Sequence, residues 1–225
     1  MRKHLALTLL LASPVALSQP YIQLGLGMVE MDHDEDFIFS DGTRLKPDSS
    51  ENMFQLTLGK RYEQLGFEVS YSQYEGEESK EWEAYTNIPA LPAGVSGGTP
   101  NEYDEDWDSK FKAQQLAVKG VYFHNLNERL TLKGSLGLTY TDYELTASHE
   151  QSWEEDKVGP DWEYDYLVSH DKNSETAWGG ILSVGVNYVL APQLAPNLTL
   201  GVEASVAADK YNTATALLGN LGWSF

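Results

Sequence analysis

The chain contains 225 residues, carries a formal net charge of −19 at pH 7 and has no cysteine. Without cysteine, these residues cannot form a disulfide framework, a thiol nucleophile or a lipid-modified cysteine anchor. The acidic excess argues against nucleic acid as a partner, because phosphate binding requires clustered Lys and Arg side chains.

The N-terminal segment has the pattern of a secretory signal peptide. Arg2 and Lys3 precede an apolar run over residues 5–17, and small residues lie near its end at Ala16 and Ser18. This pattern predicts a signal peptide over residues 1–18, cleaved after Ser18, rather than a buried helix. We therefore expect a mature barrel domain over residues 19–225. This apolar run is too short for a membrane helix, and no later apolar run is long enough. Any segment that crosses the membrane must therefore be a strand.

Eight segments alternate apolar residues with small or polar ones, which predicts strands whose two faces meet different environments. In the last segment, one face carries Leu217, Gly219, Leu221, Trp223 and Phe225, and the other carries Ala216, Leu218, Asn220, Gly222 and Ser224. The earlier segments occupy residues 21–29, 53–62, 65–72, 111–123, 130–140, 178–188 and 198–206.

The connections between these segments alternate in character. Three short turns lie near residues 63–64, 124–128 and 191–197. The other segments, predicted to be extracellular, span residues 30–52, 75–110, 144–175 and 209–213. These four segments hold 29 of the 34 acidic residues and seven of the 15 basic ones, a net charge of −22. This asymmetry predicts an all-β, eight-stranded antiparallel up-and-down transmembrane β-barrel with long extracellular loops on one acidic rim.

Two aromatic residues give an independent check on the membrane span. Trp178 and Tyr188 share one face of the sixth segment. Their separation corresponds to ~33 Å along a strand, and to ~25 Å of height at a tilt of ~40°. That height matches the apolar band between the two aromatic girdles of an outer-membrane barrel.

Together, the strands, the loop asymmetry, the signal peptide and the Leu221, Trp223 and Phe225 ending resemble the family of small eight-stranded bacterial outer-membrane β-barrels, typified by the OmpA transmembrane domain and OmpX. The resemblance extends over the whole mature chain and implies a location in the cell outer membrane. It also implies contact with outer-membrane lipid and lipopolysaccharide. The terminal residues Leu221, Trp223 and Phe225 resemble the signal that the barrel assembly machinery recognises.

Charged residues on the predicted inner face indicate an ionic cluster. They are Glu68, Lys119, Lys133 and Glu203, with Arg61 nearer the periplasmic end. An eight-stranded barrel is only wide enough for side chains to fill, so these charges must pair or bind water. The interiors of the family are closed by such clusters. We therefore expect a structural plug, with a narrow or gated conduit as the alternative.

Acidic residues between Asp32 and Asp36 have the spacing of a calcium loop, but the pattern fails downstream. Phe37 stands where such a loop requires glycine, and Thr43 stands where it requires a bidentate Glu. We predict a solvated acidic loop without a metal site, although Ca²⁺ or Mg²⁺ could accumulate diffusely. Three histidines in predicted loops show no ligand spacing and are interpreted as surface residues: His33, His149 and His170.

Enzymatic activity is not predicted. The sequence lacks a recognisable arrangement of nucleophile, base and orienting residue. A lipid deacylase of this class would carry a His-x-Ser pair on an outward-facing strand, and the predicted strands contain no such histidine. No cofactor is expected.

Four tryptophans lie within the two longest acidic segments: Trp82, Trp107, Trp153 and Trp162. We predict that the third to sixth strands continue above the membrane as protruding hairpins. Their Trp residues would form cross-strand pairs and offer an edge or a face to a partner. Disordered acidic loops are the alternative. The predicted function is surface interaction or adhesion to a host-cell or matrix ligand, followed by a small pore or channel, and third by a lipid-modifying enzyme.

Overall fold

A computed structural model of the protein describes residues 18–33, 37–46, 50–95, 99–155, 162–190 and 197–225. Its strands are β1 (Ser18–His33), β2 (Phe37–Ile38), β3 (Arg44–Leu45), β4 (Ser50–Tyr62), β5 (Leu65–Ala84), β6 (Glu102–Asn125), β7 (Leu130–Glu155), β8 (Trp162–Val189), β9 (Leu198–Ala208) and β10 (Asn212–Ser224). Within these ranges, no helix is long and apolar enough to cross a membrane. Residues 1–17, most of the predicted signal peptide, lie outside the described residues.

Eight of the described strands form one closed antiparallel barrel in the order β1-β10-β9-β8-β7-β6-β5-β4. The first strand closes the ring because it pairs with β10 on one side and with β4 on the other. Leu24 lies opposite Leu221 in β10 and opposite Leu56 in β4. The backbone N–H of Phe225 donates to the carbonyl oxygen of Pro20 at 2.9 Å. The predicted eight-stranded up-and-down barrel is confirmed.

The period of two decides which residues face outward. Leu217 and Leu218 are identical side chains on adjacent positions, yet Leu217 is 60% exposed and Leu218 is fully buried. Leu24 and Leu26 likewise lie on the outer surface, whereas Gln23, which precedes Leu24, is buried. Outward apolar side chains and inward polar ones are the pattern of a barrel surrounded by lipid.

The short turns occupy one rim of the barrel. Residues 63–64 join β4 to β5, and Glu63 adopts a positive φ of 51°, which permits the tight reversal. Residues 126–129 join β6 to β7. Most of the predicted turn at 191–197 lies outside the described residues.

Strands β5 to β8 are much longer than the other strands, with 20, 24, 26 and 28 residues. Beyond the lipid-facing band they continue as a four-stranded antiparallel sheet, which we call the protruding sheet: residues 75–84, 102–112, 142–155 and 162–176. Along β6, this sheet rises roughly 35 Å above Leu116 at a tilt of ~40°. Much of the predicted loops 75–110 and 144–175 is therefore strand.

The polarity of the two strand faces inverts where the protruding sheet begins. On β6, the outer face changes from Leu116 and Val118 to Lys110 and Asp108, while the inner face changes from Lys119 to apolar residues. A strand that leaves lipid for water must move its apolar side chains to the side that other protein segments cover. The change therefore separates the membrane-spanning barrel from the protruding sheet.

Candidate functional site

The centre of the barrel contains a closed ring of ion pairs. Lys119 Nζ lies 2.9 Å from Glu68 Oε2 and 3.4 Å from Glu203 Oε1. Lys133 Nζ lies 2.6 Å from Glu68 Oε1 and 2.7 Å from Glu203 Oε2. Each lysine contacts both carboxylates, so the four buried charges sum to zero. The hydroxyl of Tyr21 adds a hydrogen bond to Glu68 Oε1 at 2.7 Å.

Two glycines make room for this ring. Gly137 lies opposite Lys119, and Gly185 lies between Lys133 and Glu203 in the strand register. A Cβ atom at Gly137 would collide with the backbone of Lys119. The long charged side chains can therefore lie across positions where the neighbouring strands present no side chain.

Arg61 does not belong to this ring, so the predicted five-residue cluster is wrong in one member. Its Nε donates to the carbonyl oxygen of Glu63 at 2.7 Å, and its Nη2 donates to Asn125 Oδ1 at 2.8 Å. The guanidinium also lies 4.6 Å from the centroid of the Phe123 ring. Arg61 shares the inner-face parity but is too far along its strand, at the rim with the short turns.

A second, apolar layer closes the barrel between the ion-pair ring and the protruding sheet. The ring centroids of Phe111 and Tyr143 lie 5.4 Å apart, and the Tyr143 hydroxyl donates to Asp209 Oδ2 at 2.6 Å. Further buried members of this layer are Val29, Met31, Met53, Tyr74, Ala113, Leu145, Ala177, Ala214, Ala216 and Leu218. Only the polar inner positions were predicted from the sequence, and this apolar layer was not.

The outer face of the protruding sheet places carboxylates directly opposite one another. Glu81 pairs with Asp106, which pairs in turn with Glu150. Glu83 lies opposite Asp104, and a further row joins three glutamates on neighbouring strands: Glu102, Glu154 and Glu163. We call these eight residues the acidic face. No lysine or arginine of the described residues occupies these rows.

Closer to the membrane, the same face is neutralised. Lys110 Nζ lies 3.6 Å from Glu75 and 3.8 Å from Glu77, and Lys172 Nζ lies 2.9 Å from Glu144. Among the described residues, the outer face of the protruding sheet therefore has mixed charge at its base and only negative charge toward its tip.

Burial and mutual repulsion raise the pKa values of carboxyl groups on the acidic face. Burial and the neighbouring carboxylates of Glu102, Glu154 and Glu83 raise the pKa of Asp104 from 3.8 to about 6. The carboxylates of Asp106 and Glu83 raise the pKa of Glu81. On the acidic face, the charges already present therefore oppose the ionisation of each further carboxyl group.

The four predicted tryptophans all lie in the protruding sheet, but they do not pair with one another. Trp82 contacts Tyr103 edge-on at 5.8 Å, and Trp153 packs against Tyr103 at 5.1 Å. Trp162 stacks on Tyr164, with ring centroids 6.4 Å apart. Trp82 is 50% exposed, whereas Trp153 is buried beneath a loop that contains Ile88 and Leu91.

Trp107 is buried as well, on the inner face of the sheet. It packs with Phe39 and Leu45 of the small β2–β3 hairpin, which folds over that face. Trp107 and Trp153 are therefore packing residues, and their predicted role as exposed interaction residues is wrong. The burial follows from the inversion of polarity, because the inner face is the apolar face of the protruding sheet.

Two of the three histidines can be placed by their side chains. His149 is 3% exposed, so its interpretation as a surface residue is wrong. Its ring stacks on Trp107 with centroids 5.0 Å apart, and its Nε2 lies 2.7 Å from Glu105 Oε1. His170 is exposed, as expected. The side chain of His33 and residues 34–36 of the predicted acidic loop lie outside the described residues.

The terminal residues occupy the outer surface of β10. Leu221, Trp223 and Phe225 are exposed on the lipid side, while Asn220 and Gly222 face the interior. The predicted parity of this strand is correct. Its role as an assembly signal stays a prediction.

Comparisons with known proteins agree with this geometry. The structure of Ail, the attachment invasion locus protein of Yersinia pestis, solved in complex with the heparin analogue sucrose octasulfate, has a TM-score of 0.51 at 13% identity, covering 92% of this chain and 99% of Ail. Neisserial surface protein A has a TM-score of 0.52 at 15% identity, covering 92% of this chain and 97% of that protein. These identities show similarity of fold alone.

A search of curated proteins finds no match to the sequence. A family model described as the outer membrane protein beta-barrel domain matches residues 4–225. The chain therefore belongs to the outer membrane protein β-barrel domain family, and its location is the outer membrane.

Proposed function

We propose that this protein is a surface-interaction protein that uses its acidic face to attach the cell to a partner with a basic surface, a host-cell or matrix ligand. The barrel anchors the protruding sheet, and the sheet carries the acidic face away from the membrane. The observation that carries the proposal is the direct opposition of carboxylates in consecutive rows, such as Glu81, Asp106 and Glu150.

Like charges opposite one another on neighbouring strands destabilise a sheet. The base of the same sheet pairs acids with Lys110 and Lys172, so neutral rows are compatible with this architecture. A row of acids therefore costs stability without a visible structural benefit. Features of this kind are expected at sites that function requires. The charge would also be attracted to basic surfaces over ~8 Å at physiological salt.

The similar fold of Ail supports attachment only in general terms. Ail is an attachment invasion locus protein, and its structure was solved with the heparin analogue sucrose octasulfate. A sulfated polyanion would be repelled by the acidic face of this chain. We therefore expect the partner here to have the opposite charge, such as a basic protein surface. Diffuse Ca²⁺ or Mg²⁺ would weaken its binding by screening the carboxylates.

The test compares two triple variants of equal charge. Glu81→Gln, Asp106→Asn and Glu150→Gln together remove one acidic row, while Glu75→Gln, Glu77→Gln and Glu144→Gln remove three acids from the neutralised base. Each set is expressed in a non-adherent strain and scored for attachment to host cells and for capture of polylysine at rising salt. We expect the first set to lose most binding and the second to retain it. Equal loss would reduce the proposal to nonspecific net charge, and unchanged binding in both would overturn it.

A small channel is the alternative function. A polar cavity at the short-turn rim, lined by Gln19, Gln23 and Arg61 among others, would favour it. The ion-pair ring and the apolar layer stand in the path from that cavity to the opposite rim. We propose that they act as a plug. Planar bilayer recordings of the wild-type protein provide the test, and steady ohmic conductance would favour the channel.

We propose no catalytic role, so a lipid-modifying enzyme stays third. Contact of the outward apolar side chains with lipid and lipopolysaccharide, and recognition of the terminal strand by the barrel assembly machinery, stay predictions.

A further inference from the structure

Three metal-ligating side chains from separate parts of the chain meet at the inner face of the protruding sheet. Asp41 lies in the turn between β2 and β3, Glu105 lies on β6, and His149 lies on β7. One ligand atom from each residue lies within 4.8 Å of the corresponding atom of the other two. The meeting depends on the β2–β3 hairpin folding over the sheet, so no spacing in the sequence reveals it.

The histidine at this position is held firmly and only partly satisfied. Its ring lies parallel to Trp107 with an interplanar angle of 16°, and Phe39 packs edge-on at 6.1 Å. Nε2 contacts Glu105, but Nδ1 is buried and has no hydrogen-bond partner among the described residues. In the tautomer that carries its proton on Nδ1, Nε2 presents its lone pair 2.7 Å from the Glu105 carboxylate, so both groups can bind one cation.

The short contact between Nε2 and Glu105 is the kind of contact that a cation can occupy. A neutral imidazole nitrogen and an ionised carboxylate are both hydrogen-bond acceptors, so they lie stably at 2.7 Å only with a proton or a cation between them. A cation bound to Nε2, Glu105 and Asp41 would replace that proton, which then moves to Nδ1.

Asp41 is oriented toward the same region. Its Oδ1 accepts a hydrogen bond from the Thr43 backbone N–H at 2.9 Å, and its Oδ2 accepts one from the Thr43 hydroxyl at 3.0 Å. Each oxygen retains a lone pair, so the carboxylate is positioned and can still bind a cation.

We infer that Asp41, Glu105 and His149 form a binding site for a divalent transition-metal cation of the Zn²⁺ type. An imidazole nitrogen with carboxylate oxygens suits such ions, whereas Ca²⁺ and Mg²⁺ prefer oxygen ligands alone. Ligand bonds of ~2.0–2.2 Å require the three groups to close in slightly from their present separations. Asp41 belongs to the β2–β3 hairpin, and the other two ligands belong to the protruding sheet. A bound cation would therefore stabilise the contact between the hairpin and the sheet.

The site differs from the acidic face in position and in chemistry. Glu105 and His149 point to the inner side of the sheet, whereas the acidic face lies on the outer side. The acidic face offers only carboxylates, so we expect Mg²⁺ to displace any other divalent cation bound there. A transition-metal site with a buried nitrogen should retain its ion in excess Mg²⁺.

The experiment measures Zn²⁺ binding to the folded full chain in detergent, after EDTA treatment and dialysis, by calorimetry in millimolar Mg²⁺. We expect one Zn²⁺ per chain that is retained in Mg²⁺, and loss of this binding in His149→Gln and Asp41→Asn. His170→Gln is the matched control, because it removes an exposed imidazole from the same sheet. Asp41→Asn changes an exposed turn residue, so it tests the site even if His149→Gln disturbs packing.

A second readout reports where the cation binds. Cu²⁺ near His149 should quench the fluorescence of the stacked Trp107, and Zn²⁺ should slow proteolysis within residues 37–46. Neither effect should appear in Asp41→Asn. Equal Zn²⁺ binding by wild type and both ligand variants, or complete displacement of Zn²⁺ by Mg²⁺, would overturn the inference. The polylysine assay on the acidic face is independent of either result.

Discussion

Lys133 Nζ lies 2.6 Å from Glu68 Oε1 at the centre of the barrel, and both side chains are shielded from solvent. Removing Lys133 leaves Lys119 alone to compensate two buried carboxylates, and an uncompensated buried charge costs ~3–5 kcal/mol. We therefore expect Lys133→Met to destabilise the folded barrel by about that amount. The measurement is the urea midpoint of the SDS-resistant folded band.

The exposed pair of Lys172 and Glu144 provides the control for that prediction. Its Nζ–Oε1 distance is 2.9 Å, but both side chains are about half exposed. An exposed pair contributes only ~0–1 kcal/mol, so Lys172→Met should leave the midpoint nearly unchanged. Comparable losses in the two variants would show that burial does not determine the strength of the central ring.

Phe225 and Ser224 test the role of the terminal strand. Phe225 is 71% exposed on the lipid side, whereas the side chain of Ser224 contacts the backbone of Asn197. Phe225→Ser should lower the amount of protein in the outer membrane and raise its degradation, because the resemblance implies that the terminal aromatic is read during assembly. Ser224→Ala should assemble normally in the same fractionation assay. Equal sensitivity of the two positions would contradict this role.

Trp107 should stabilise the protruding sheet without affecting the barrel. It is buried against Phe39 and Leu45 of the β2–β3 hairpin. Replacing a buried Trp by Ala costs ~3–5 kcal/mol in a packed core. We expect Trp107→Ala to release the hairpin, which limited proteolysis within residues 37–46 would detect, while the SDS-resistant band persists. Trp82→Ala, at a half-exposed position, should leave the hairpin protected.

Acid should stabilise the tip of the protruding sheet. The pKa of Asp104 is raised to about 6 in the folded protein from an ordinary value of 3.8. A carboxyl with a raised folded-state pKa binds protons more readily when folded, so stability is regained as the pH falls from about 6 toward 4. Hydrogen exchange at residues 102–106, corrected for intrinsic rates and measured in EDTA, should show rarer opening at pH 5 than at pH 7.5. Asp104→Asn should reduce this difference. Greater opening at pH 5 would contradict the sign.

The barrel itself was predictable from the sequence. In lipid, each strand must place apolar residues outward at every second position, and this pattern is visible in adjacent residues such as Leu217 and Leu218. The same parity indicated the four members of the central ring. The loop asymmetry and the concentration of acids also followed from the chain order alone.

The sequence also contains a signal for the point at which the strands leave the membrane. Along β6, the apolar parity changes from the even positions of Leu116 and Val118 to the odd positions of Phe111 and Trp107. That change marks where a strand leaves lipid, and it would have identified Trp107 and Trp153 as buried. The long acidic segments would then have been recognised as strands of an amphipathic sheet rather than as loops.

The tertiary structure decided which distant residues meet. The sequence determined the parity of Arg61 but not its height in the barrel, so only the strand register separated it from the central ring. The register also placed Glu81 opposite Asp106, and the folding of the β2–β3 hairpin placed Asp41 beside His149. Alternation is a property of neighbouring residues, because successive side chains point to opposite faces. Contacts between strands depend on register and on the path of the connecting segments, which neighbouring residues do not determine.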